Sequence, residues 1–240
     1  MRVIITRPYE DAVPLAEGIR QRGHEPVFAP LSHIRYQTPD APPGQPGATI
    51  FTSKNAIRAL ESVEWASTLH CLHAYCVGAA TADAARQAGF LHVVAGGGTG
   101  AQLVEHIAYA HSPENGPLLY LTGEHLAFDI QEALTARGFT VWRQIVYRNM
   151  LAGTLPSPVS TGLRDGSFDA IMFMSPRVAA QFVHLAQEAG FSEEAARLRF
   201  FCLSDQIGAA LKPLGAGQIA IARSPTQDAL LDLLSPRNPV

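Results

Sequence analysis

Short apolar runs rich in Val, Ile and Phe recur along this chain, each ending at a turn and leading into an Ala- and Leu-rich stretch with helical spacing. Strands covered on both faces read as unbroken apolar runs, so the alternation predicts β-α units built around parallel sheets. Strands are predicted near residues 2–6, 25–29, 48–53, 73–78, 92–96, 118–123, 140–147, 168–174, 199–204 and 218–222, with helices in the gaps.

The pattern occurs twice. ATIFTSKNAIRAL (48–60) is echoed by DAIMFMSPRVAAQF (169–182), and HAYCVGAATADAARQAG by RFFCLSDQIGAALKPLG. The offset between copies drifts only from 116 (Thr6 to Thr122) to 127 (Thr99 to Thr226), as in a tandem duplication whose insertions collected in loops.

Linkers change what the folding units are. Two proline-rich stretches, residues 30–47 and the region after Met150, fall inside the repeats, while the junction HSPENGP (111–117) reads as an ordinary turn. Domain boundaries favour Pro- and Gly-rich linkers, so the units are expected to be circular permutations of the repeats. One domain is expected from residues 1–34 plus 151–240 and the other from 37–147, with linkers at 32–47 and 147–167 and five strands in each sheet. The segments SHIRYQ and QIVYRNM could pair as a short ladder between them. Two tandem domains are the alternative.

Composition narrows the class. With 240 residues, 47% hydrophobic and 16% charged, the chain fits an α/β protein with real cores. A net charge of −3 offers no basic face for nucleic acid. Met1 leads straight into a predicted strand and no apolar run approaches a membrane span, so a cytoplasmic protein without a membrane partner is expected. The three cysteines, Cys71, Cys76 and Cys202, lack metal-site or disulfide spacing; Cys76 and Cys202 hold equivalent strand positions and read as core.

Ligands of open parallel sheets bind at the carboxyl ends of the strands. The turns there read TRP (6–8), TSKN (52–55), VGAAT (77–81), GGGTG (96–100), TGEH (122–125), MSPR (174–177), LSDQ (203–206) and RSPTQ (223–227). Ser and Thr at such places cap helices whatever the function, yet a capped N-terminus still offers N–H groups and a positive dipole end to an anion. The candidate binding residues are therefore Thr6, Arg7, Ser53, Lys54, Asn55, Gly78, Thr81, Thr122, Gly123, Ser175, Ser204, Ser224 and Thr226, with Arg148, Arg177 and Arg223 nearby. If both domains turned these ends toward one cleft, it would suit a ligand with several separated carboxylates. No metal spacing, P-loop, dinucleotide fingerprint or nucleophile elbow is present. Tyr147, in a connection between domains, is a residue with a proton to give; packing between strands is the competing explanation.

These pieces resemble the uroporphyrinogen-III synthase family over essentially the whole chain: ITRP (5–8), FTSKNAI (51–57), VGAATA (77–82), LTGE (121–124), VY (146–147), FMSP (173–176) and ARSPTQDALLDLL (222–234). The resemblance implies a monomer of two similar doubly wound parallel-sheet domains, flavodoxin-like in the manner of this family, joined by a two-stranded connection. It implies a carbon–oxygen lyase of haem and porphyrin biosynthesis that cyclises the small molecule hydroxymethylbilane to uroporphyrinogen III, inverting ring D and losing water. No metal or organic cofactor is implied. Loss of the terminal hydroxyl would give an azafulvenium cation, then a spiro intermediate that fragments and recloses. Tyr147 matches the tyrosine proposed to help that hydroxyl leave, and Thr81, Ser175 and Thr226 match positions that can bind substrate carboxylates. Where some relatives carry Arg after the FTS turn, this chain has Lys54 and Asn55. Arg199 stands near a position that is basic elsewhere in the family. A non-catalytic tetrapyrrole-binding regulatory module on the same fold is the alternative function.

Overall fold

The computed structural model describes residues 1–234. Among them lie eleven strands: β1 (Arg2–Ile5), β2 (Glu25–Phe28), β3 (Ser32–Tyr36), β4 (Ala48–Phe51), β5 (His73–Cys76), β6 (His92–Ala95), β7 (Leu118–Gly123), β8 (Val141–Leu151), β9 (Ala170–Phe173), β10 (Arg199–Cys202) and β11 (Gln218–Ile221). The chain divides into two compact units, Met1–His33 with Met150–Val240, and Ile34–Asn149.

The first unit holds a five-stranded sheet in the order β2-β1-β9-β10-β11, every neighbouring pair parallel. Counted along its own chain, that is 2-1-3-4-5, the flavodoxin-like order. The second unit's sheet runs β3-β8-β7-β4-β5-β6. Its five parallel strands give the same 2-1-3-4-5 order once counting starts at β7. A duplication whose copies have exchanged their first two strands produces this pair of sheets.

Alternation along each strand serves two apolar layers. In β1, Val3 and Ile5 pack with Leu15, Ile19 and Leu230 on one face. Ile4 turns to the other, with Phe173, Phe182 and Phe200. In the second unit Phe51, Leu119 and Leu121 share one layer, and Ile50, Leu118 and Tyr120 the opposite one. Unbroken runs such as AIMF in β9 are buried at every position because helices cover both faces.

The expected linkers are more structured than their proline content suggests. Within 32–47, Ser32–Tyr36 forms β3 and becomes a sixth strand of the second sheet, beside β8. The Gln37 N–H donates to the Val146 carbonyl, and the Ala152 N–H to the Leu31 carbonyl, both at 2.9 Å. Residue numbers thus rise on one strand as they fall on the other, the antiparallel pattern. Within 147–167, β8 continues to Leu151 and a helix spans Ser157–Arg164. Proline at the start of that helix is compatible with its first turn, and Val159 and Leu163, one turn apart, enter the first unit's core.

Candidate functional site

In a 2-1-3-4-5 sheet the ligand crevice opens at the carboxyl edge between the first and third strands, where consecutive connections leave in opposite directions. In the first unit this is the edge of β1 and β9, carrying Thr6, Arg7 and Ser175. In the second it is the edge of β7 and β4, carrying Thr122, Gly123 and the Thr52–Asn55 turn.

The second unit's edge contains a cavity of about 570 Å³, with Thr52, Thr99, Tyr120, His125, Phe128 and Tyr147 in its wall. A register shift delivers Tyr147 to it. Thr122 pairs with Ile145, but Gly123 pairs with Tyr147, so two residues of β8 advance against one of β7. Such a bulge re-aims a side chain, here laying the phenol ring over Gly123. Burial pushes the Tyr147 pKa above the ordinary 10.0; a hydrogen bond with the Ser53 side chain acts downward, and Tyr120 adds to the rise. A hydrogen bond that lowers an acid's pKa is one donated to its conjugate base. Ser53 Oγ also accepts the Asn55 N–H at 3.2 Å, and its own proton can be donated to the Tyr147 oxygen. With Ser53 as donor, the Tyr147 proton is available for another acceptor, and a phenol with its pKa above 10.0 can act as a hydrogen-bond donor or general acid at neutral pH.

Ser and Thr candidates divide according to what already occupies their hydroxyls. Thr6 is buried and donates to the Met172 carbonyl at 2.9 Å, tying β1 to β9. Thr122, its counterpart in the other repeat, is also buried and donates to Tyr120 Oη at 3.2 Å. Ser53 and Thr226 are side-chain caps, as is Thr99 in the GGGTG turn. Thr226 also lies 3.3 Å from the exposed Ser224 hydroxyl. Ser175 and Ser204 occupy N-cap positions without a side-chain capping bond. Thr81 is buried in the first turn of the helix that Gly78 caps.

The basic candidates are likewise placed. Arg7 pairs with Asp11 at 3.3 Å, with its other guanidinium nitrogen 3.3 Å from Met174 Sδ. Lys54 opens the helix Lys54–Arg58, and Asn55 Oδ1 accepts from Arg58 at 3.2 Å and Tyr36 at 3.5 Å. Arg148 pairs with Glu124 at 3.5 Å and bonds Gln37 at 3.3 Å. Arg177 and Arg223 are exposed at carboxyl-edge turns. Arg199 does not join them: it begins β10 and so lies at the amino edge, bonded to Gln218 at 3.2 Å. Of the residues singled out from sequence as binding or catalytic, Tyr147 is the one in the cavity wall, with Ser53 and Gly123 against it. Tyr120 and His125 were missed. Period-two alternation, which puts Tyr120 on the same face as Thr122, was the signal available for the first.

Two flavodoxin-like sheets with Ser/Thr-rich turns at their ligand edges, and a half-buried phenol at one of them, define a two-domain α/β protein whose polar groups are suited to binding and proton donation. The chain belongs to the uroporphyrinogen-III synthase family: the family model described as Uroporphyrinogen-III synthase HemD matches residues 13–232. That family is the cyclising hydro-lyase of tetrapyrrole biosynthesis. Among solved structures, uroporphyrinogen-III synthetase from Helicobacter pylori 26695 is similar at 20% identity and a TM-score of 0.69, over 97% of this chain and 98% of that one. A mutant uroporphyrinogen III synthase from the extreme thermophile Thermus thermophilus is similar at 17% identity and a TM-score of 0.51, over 97% and 96%. At these identities the likeness bears on the fold. No curated protein matches the chain in sequence. Among the described residues, no helix is long and apolar enough to cross a membrane.

Proposed function

We propose that this chain closes hydroxymethylbilane to uroporphyrinogen III with inversion of ring D and loss of water, as a cytoplasmic monomer. The observation that carries this reading is the family match over residues 13–232. Tyr147 supports it chemically. Hydroxide is a poor leaving group, and a half-buried phenol that keeps its proton at neutral pH can convert the departing hydroxyl to water. The Ser53 hydroxyl then hydrogen-bonds the phenolate left behind. A proton is released when the free α-carbon of the inverted ring bonds the methylene carbon left by fragmentation, so the phenolate can be reprotonated and the cycle balances.

The rest of the work is holding. The substrate's pyrroles supply the electrons, leaving the protein to fold the chain and favour one closure. The helices Gly100–Ala110 and Pro176–Glu188 present N-terminal N–H groups at their sheets' ligand edges, where acid side chains can bind. Ser175 and Ser204 can add hydroxyls free of capping duty. The test is direct: supply fresh hydroxymethylbilane, oxidise the products and separate isomers I and III. Isomer III formed faster than the spontaneous background is expected; isomer I alone, at the uncatalysed rate, overturns the proposal.

A further inference from the structure

Tyr120 is 1% exposed, yet its ring reaches the cavity wall that Tyr147 also lines. Its hydroxyl joins two others. Thr122 Oγ1 donates to Tyr120 Oη at 3.2 Å, and Thr52 Oγ1 lies 3.4 Å from the same oxygen. Tyr120 accepts from Thr122, and between Tyr120 and Thr52 either hydroxyl can donate. Thr52 is the residue before Ser53, whose hydroxyl meets Tyr147. Three hydroxyls from adjacent strands thus brace the turn that orients the phenol.

We infer that Tyr120 is a positioning residue for Tyr147, acting through Thr52 and the Ser53 turn. The inference rests on the proposed synthase activity. In this arrangement Thr122 fixes the Tyr120 hydroxyl, Tyr120 fixes Thr52, and the backbone passes that constraint to Ser53. Loss of any link lets the turn relax, and the Tyr147 proton is aimed less well at the leaving hydroxyl. A misaimed general acid lowers the rate of the chemical step while leaving carboxylate binding in place.

Tyr120→Phe keeps the buried ring and removes only the hydroxyl, and Thr52→Val cuts the next link. Each is expected to lower kcat for isomer III roughly fivefold, the scale of one lost neutral hydrogen bond, with KM within about twofold. In a Tyr147→Phe background Tyr120→Phe should cause no further loss, because its effect passes through Tyr147. An equal loss in both backgrounds would indicate a general structural role or an independent donor, and overturns the inference. A measurement free of turnover accompanies it: in protein labelled with 13C at tyrosine rings, the Tyr147 resonance should shift or broaden in both single variants. An unchanged resonance also overturns the inference, whereas a wild-type protein that yields isomer I alone overturns the synthase reading.

Discussion

Gly123 makes room for Tyr147: a Cβ on Gly123 would lie 2.6 Å from Tyr147 Cζ and 2.9 Å from its hydroxyl oxygen. Contacts that short do not persist between carbon atoms, and the ring sits on a strand paired through the bulge rather than on a loose tip. Gly123→Ala must therefore displace the phenol. Overpacking of this kind costs about 1–3 kcal/mol, and loss of the acid's aim should bring the rate of isomer III formation down to that of Tyr147→Phe. Thermal melting and the isomer assay check the two parts; a variant with the wild-type rate would show that the ring's position is unimportant.

Tyr147→Phe itself is expected to slow the reaction roughly 10- to 100-fold, toward the low end for a general acid because this substrate also reacts unaided. The pH profile carries the sign. With the folded-state pKa raised above 10.0, mainly by burial, the phenol remains protonated through neutral and mildly alkaline pH. The rate should hold level there and fall as pH climbs through the raised value. The same group's contribution to stability is present below pH 10.0 and lost over the same rise. In Tyr147→Phe the alkaline fall attributable to this phenol should vanish, which a kcat series from neutral pH to beyond 10.0 would reveal.

The cysteines separate by exposure. Cys76 and Cys202 are fully buried on equivalent strands, and burial pushes both thiols up to about 12 from 9.0. Thiolate is the reactive form, so both should resist alkylation in the native state while the exposed Cys71 reacts. A thiol titration should count one group in buffer and three in denaturant. Raised folded values also mean that stability supplied by Cys76 and Cys202 is complete below pH 9.0 and lost as pH rises toward about 12.

How far the sequence could be read follows from which forces are local. Apolar runs and Ser/Thr turns marked most strands and helix starts, because burial on both faces and capping leave composition traces. The exchanged strands showed through the placement of Pro-rich segments, and SHIRYQ could be read as an extended partner of QIVYRNM, although the same proline signal hid the helix Ser157–Arg164. Proline is compatible with a helix's first turn, and only the Val159–Leu163 spacing spoke for the helix. Tyr147 could be flagged as a proton source, but not the bulge that delivers it to Gly123, since register belongs to a pair of strands. Thr6 and Ser175 look alike as letters; one hydroxyl is spent across the sheet and the other makes no capping bond, a difference set by tertiary packing.

His111 gives the second unit a predicted weakness toward acid. It is 8% exposed, its Nε2 lacks a partner, and its ring meets Tyr75 at 6.0 Å and Phe139 at 6.4 Å. Burial holds its pKa below 6.5, and the nearby His73 acts in the same direction. His106 approaches Tyr75 from the helix side at 6.4 Å, while His92 stacks on His73 at 5.4 Å, so charge gained by this group as pH falls has no carboxylate among these ring contacts. A depressed folded value means that the unfolded chain takes up the proton first. The contribution to stability is present above pH 6.5 and lost as pH falls through the folded value. His111→Phe removes both the proton site and the orphaned nitrogen from an aromatic pocket. Urea unfolding at several pH values should show a shallower loss of stability below pH 6.5 than in the wild type, with equal or greater stability at neutral pH, by up to about 1 kcal/mol. An unchanged slope would mean that the acid sensitivity resides in other groups.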